Sequence, residues 1–167
     1  MKILDKPLRI IIIALIAVFF FIALIYVNFS RPSLFRGQFP HNPPYPAIAT
    51  INRQTINIIK IAKTPTEHSK GLSSHPAMSD DEGMLFEFSD HQVRQFWMKE
   101  MLFPLDIIWI NDSRIVNISK NLPPEGLKPV KIYSSINPAD TVLEINAGIS
   151  DKYKFKIGDQ VVIGWPL

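Results

Sequence analysis

The chain has 167 residues, no cysteine and a formal charge of +3. This length allows one domain with an appendage, and the missing cysteines exclude a disulfide framework, a thiolate zinc site and a thiol nucleophile. Lys2, Lys6 and Arg9 against Asp5 place +2 of the charge before residue 10, so the remainder is nearly neutral and lacks the basic footprint of nucleic-acid binding.

Residues 1–9 form the basic N-terminus, expected to be cytoplasmic. Ile10 to Val27 then runs through 18 apolar residues without charge or proline. About 20 residues at 1.5 Å each cross the ~30 Å hydrocarbon layer of a bilayer, which predicts a transmembrane helix over 10–29. A cleaved signal peptide has a shorter apolar region and a small-x-small cleavage site, and "NFSRPSLFRGQFP" contains none. The expectation is an uncleaved signal-anchor at the cell membrane, single-pass, with the C-terminal domain extracytoplasmic. Residues 30–46 hold five of the 14 prolines and read as a stiff, extended linker.

The domain proper spans 47–167. "TINIIKIA" (55–62) is rich in β-branched residues and predicts a strand. Thr64 as N-cap, Pro65 at the first helical position and Glu67 at the third predict a short helix closed by a capping box. Gly71 stops it. "GMLFEF" (83–88), "RQFWM" (94–98) and "LDIIWI" (105–110) read as strands, and "NDSR" turns the last into "IVNIS". After the loop "NLPPEGLKP" come "KIYSS", "TVLEINA" and "QVVIG", the last introduced by Gly158–Asp159. The fold class predicted is mainly β: a compact barrel- or sandwich-like domain of about seven or eight short strands with one or two short helices.

"EHSKGL", "EGMLFEF", "FWMK" followed by "PLDIIWI", the spaced "YSS", "PA", "VLE" and "AG", and the closing "IGDQVV" together resemble the DUF192 family of bacterial and archaeal proteins. The resemblance covers about residues 52–163. It implies a small, mainly β domain, often exported or membrane-anchored, and it supplies no catalytic residues. Two departures stand out. "SSHP" occupies the place where the family often carries an Arg, and Glu100 and Met101 replace an Asn-Thr pair after "FWMK".

The stretch "FWMKEMLFPLDIIWI" (96–110) is largely apolar, yet it carries Lys99, Glu100 and Asp106. Strand alternation puts Asp106 on one face with Ile108 and Ile110, and Leu105, Ile107 and Trp109 on the other. A carboxylate in that setting needs hydrogen bonds or a cation. One reading is structural: Asp106 caps a turn or orders the loop from Lys99 to Pro104, with Arg94, Lys99 and nearby backbone N–H groups as partners. The functional reading gathers Trp97, Lys99, Glu100 and Asp106 around a pocket mouth that suits a small polar ligand.

No metal site or cofactor is expected, since His41, His68, His75 and His91 show no HxH or HExxH spacing. Asp80, Asp81 and Glu82 read as a solvated loop. Nucleophile-elbow, P-loop and GxGxxG patterns are absent from the sequence. Function is therefore expected to be that of a non-catalytic ligand- or partner-binding module of the cell envelope, for a glycan, a peptide or a protein. The alternative is a hydrolase-like enzyme pairing Asp106 with Glu82, Glu87 or Glu100 across about 5–10 Å. A purely structural partner of another membrane protein is the third reading.

Overall fold

The computed structural model describes residues 46–165; the expected transmembrane helix over 10–29 and all of the linker but Pro46 lie outside them. Within them no helix is long and apolar enough to cross a membrane. The order of elements is β1 (Ala47–Ile51), β2 (Gln54–Ala62), α1 (Pro65–Lys70), β3 (Glu82–Phe96), β4 (Leu105–Asn111), β5 (Arg114–Leu122), β6 (Tyr133–Asn146), α2 (Ile149–Lys152) and β7 (Val161–Gly164).

The seven strands form one sheet in the order β5-β4-β6-β3-β2-β1-β7. It curls until its two edge strands meet at the Arg114–Gln160 bridge. There Val161 N donates to Ser113 O at 2.9 Å and Ile115 N to Asp159 O at 3.0 Å. The mainly β expectation holds, as one curled sheet with two short helices. "GMLFEF" and the first three residues of "RQFWM" belong to a single 15-residue strand, β3, which ends before Trp97, and most of "KIYSS" and "TVLEINA" belongs to the 14-residue β6. Register shifts between Glu87 and Gln92 kink this long pair, which is why the sequence signal breaks there.

Tight turns set the hairpins. Asn52 and Arg53 join β1 to β2, and Asp112 and Ser113 join β4 to β5; all four residues have positive φ, between 48° and 66°. Such two-residue turns match the twist of antiparallel strands. The β2–β3 pair is parallel, so the chain must leave the sheet and return between them. Helix α1 occupies that crossover. It is only six residues long, and its capping box is complete: Glu67 N donates to Thr64 Oγ1 at 3.3 Å, and Thr64 N to Glu67 Oε2 at 3.0 Å.

Alternation along the strands sorts the core onto two faces. Ile56, Ile58, Leu85, Ile108, Ile110, Leu143 and Ile145 pack together on one. Met84, Phe86, Leu105, Ile107, Trp109 and Val142 pack on the other, covered by Leu72, Met78, Met98 and Met101 from loops. Strand β4 is buried on both faces, so it reads as a nearly continuous apolar run.

A candidate binding pocket over Glu144

Glu144 lies in β6 opposite Met84 of β3 and Ile107 of β4. Cross-strand neighbours share a face, so its side chain points into the cluster built on Met84, Phe86 and Ile107. It is 4% exposed. Its Oε2 is buried and accepts no hydrogen bond among the described residues. Burial disfavours the charged form and pushes the carboxyl up to about 8. At neutral pH it is therefore a carboxylic acid, able to donate one hydrogen bond and accept others.

A pocket of about 310 Å³ opens above it. Phe86, Phe88, Phe96, Trp97 and Met101 line it, together with α1 residues and Arg94. Phe96 stands edge-on to both Phe86 and Trp109, with ring centroids 4.9 Å and 5.3 Å apart. This T-shaped chain fixes the wall. His68 anchors α1 over the sheet, its Nε2 lying 3.2 Å from Ala62 O and 3.1 Å from Glu87 O. Arg94 lays its guanidinium 3.9 Å over the Phe88 ring, donates from Nε to Ala139 O at 2.9 Å and pairs with Asp90.

Trp97 is 43% exposed and also lines a second groove, of about 690 Å³, with Lys60, Lys70, His75, Lys99 and Glu100. Three of the four residues singled out in the sequence, Trp97, Lys99 and Glu100, thus meet at one surface. Lys99 Nζ lies 3.8 Å from Glu100 Oε2. Glu100 has φ of 55° and is tied down by its backbone, its N–H donating to Glu125 O at 2.9 Å and its carbonyl accepting from Ser74 N at 2.9 Å.

Asp106, the fourth, lines neither groove. It is fully buried. Its Oδ1 accepts from Asn121 N at 2.8 Å and its Oδ2 from Ser150 N at 3.0 Å. Asn121 has φ of 54° and sits opposite a register shift, which frees its N–H from the ladder. Ser150 N is one of the unpaired donors of the first turn of α2. The carboxylate thus ties β5 and α2 to β4, and its partners come from far along the chain rather than from Arg94, Lys99 or the Pro104 loop. Of its other expected carboxylate partners, Glu87 pairs with Lys63 at 2.9 Å, and Glu82 Oε2 accepts from Ser79 N at 2.8 Å.

Two features escaped the sequence reading. Glu144 carries the same signal as Asp106, an acid amid apolar residues of both faces in "TVLEINA". His91, Asp112 and Asp140 converge with ligand atoms within 4.8 Å of one another, although their sequence spacing follows no metal motif. Local bonds account for that convergence: Asp112 N donates to Asp140 Oδ2 at 2.9 Å, and His91 Nδ1 lies 2.8 Å from Asn111 Oδ1. The Asn111 contact, followed by the nearby acids Asp112, Asp140 and Asp90, raises His91 above the usual imidazole range.

Comparison with known proteins places the fold in context. A crystal structure of a protein of unknown function from Novosphingobium aromaticivorans DSM 12444 is 32% identical with a TM-score of 0.62, over 70% of this chain and 83% of that one. A candidate transcription regulator from Sinorhizobium meliloti 1021 is 29% identical, also at 0.62, over 70% of this chain and 90% of the other. The comparison with curated proteins gives no match. The sequence profile of DUF192, described as an uncharacterized ACR, matches residues 47–163. With the profile matching from the first strand to the last, the chain belongs to the DUF192 family.

Proposed function

We propose that this domain is a non-catalytic binding module of the cell envelope, held outside the cytoplasmic membrane by the span 10–29. It takes a small molecule, or the end of a peptide or glycan, into the pocket over Glu144. One observation carries the binding reading: a buried carboxyl, its Oε2 without a hydrogen-bond partner among the described residues, lies under a pocket walled in part by Phe86, Phe88, Phe96 and Trp97. Leaving such a group unsatisfied costs about 1–3 kcal/mol. Apolar pockets with a few polar groups use those groups to orient a ligand.

Paired-carboxylate hydrolysis has less support. Glu144 is the one acid among the residues lining the pocket, and both oxygens of Asp106 are engaged by backbone N–H groups. Support for the anchor comes from the 18-residue apolar run and the basic residues before it.

The binding reading is tested with full-length protein in mild detergent, screened against a fragment library by ligand-observed NMR. Val93, half-exposed at the pocket rim, is replaced by Trp to fill the mouth. Fragments that bind the wild type and are lost in Val93→Trp support the module; a library with no such fragment overturns it. The anchoring reading is tested by protease treatment of intact spheroplasts. Digestion of the membrane-bound domain supports external display, and full protection overturns it.

A further inference from the structure

Resting on that binding reading, we infer that the ligand of this pocket is uncharged and flat, and presents an amide-like edge, a carbonyl beside an N–H, to the Glu144 carboxyl. The argument begins from what the carboxyl lacks. Its Oε2 is enclosed, and no described side chain or backbone group bonds to it. A protonated carboxyl offers a donor and an acceptor side by side. The group that satisfies both at once carries the reverse pattern, as an amide does.

Charge around the pocket excludes the two ionic alternatives. The titratable and charged groups lining it are His68 and Lys70 from α1, Arg94 from β3 and Glu144 itself from β6; the segment after β3 contributes Trp97 and Met101. A cationic ligand would meet Lys70 and Arg94 while facing a carboxyl that burial keeps neutral. An anionic ligand would be desolvated among Phe86, Phe96 and Met101. Of the two lining cations, Arg94 already serves Asp90 and Ala139 O, and Lys70 is exposed, so water screens the attraction it offers. A neutral group escapes both costs. Flatness is inferred from the walls, where three aromatic side chains, Phe86, Phe96 and Trp97, line the space beside Glu144.

The test uses full-length protein and probes of nearly one shape: benzamide, benzoate and benzamidinium, titrated by NMR at about pH 6 and about pH 9. At the lower pH benzamide is expected to bind at least about tenfold more tightly than either ion, because a site built for hydrogen bonds penalises a mismatched edge. Its affinity falls at the higher pH as Glu144 loses the proton it donates. Glu144→Gln retains a donor and an acceptor, so it keeps benzamide binding and loses the pH dependence. Preferential binding of benzamidinium, strengthening with pH, overturns the inference in favour of a cation site. Preferential binding of benzoate overturns it in favour of an anion site. Failure of all probes, while other fragments still bind in a manner blocked by Val93→Trp, removes the amide class and leaves the binding module standing. Absence of any blockable fragment removes both.

Discussion

Gly83 and Glu144 approach so closely that a Cβ on the glycine would lie 2.8 Å from the Glu144 carbonyl oxygen. The added methyl would also meet Ile56 Cγ2 at 3.0 Å and Ile145 Cγ2 at 3.1 Å. Because the first of these obstacles is backbone within the central β3–β6 pair, it cannot rotate away. Gly83→Ala is expected to destabilise the domain by about 1–3 kcal/mol, as overpacking does. Urea denaturation reads the change, and an unaltered midpoint would count against the packing described.

Stability should depend on pH through Glu144. Its carboxyl titrates near 8 in the folded chain against an ordinary value of 4.5. Below the unfolded value both states hold the proton and the contribution is complete. As pH rises, the unfolded chain releases its proton first, so stability is lost progressively until about pH 8. The loss is on the order of a few kcal/mol. Glu144→Gln should flatten this part of the profile, and a variant with the wild-type slope would sink the assignment.

Asp106 holds two backbone donors that have no other role in the sheet or helix ladders. Asp106→Ala should cost about 1–3 kcal/mol for each N–H left unpaired. Asp106→Asn should fare little better, because one of its two positions would set an NH₂ against a backbone N–H. Hydrogen exchange at Asn121 and Ser150 would locate the damage. Full protection of both amides in the alanine variant would contradict the bonding found here.

Trp97 tests the pocket without testing the core. It is partly exposed and shared by both grooves. Trp97→Ala should weaken fragment binding about tenfold or more, as loss of an aromatic anchor does, while the melting temperature changes little. A large loss of stability with intact binding would reverse its assignment from ligand wall to structural prop.

The sequence and the structure agree most closely where a local rule decides the outcome. The capping box at Thr64, the turn at Asp112–Ser113 and the face assignment of Leu105, Ile107 and Trp109 each depend on a handful of neighbouring residues. They were legible for that reason. The merging of short segments into β3 and β6 was not, because it depends on two long strands supporting each other across an irregular stretch. Asp106 was recognisable as a carboxylate in need of partners, yet Asn121 and Ser150 come from elements that only the tertiary fold brings near. Glu144 shows the opposite case. Its setting in "TVLEINA" advertised burial, but nothing local distinguishes a satisfied acid from one left facing a pocket.

The junction of β1 with β7 bears on how the protein is made. Ile48 pairs with Gly164, so the earliest strand in chain order waits for the latest one to complete its ladder. During synthesis β1 has β2 on one side and an open edge on the other until nearly the entire domain has been translated. Non-local pairing of this kind is slow to form, and an open edge invites pairing with other chains. Ribosome-bound intermediates that stop short of residue 161 should therefore be the species most in need of chaperone protection.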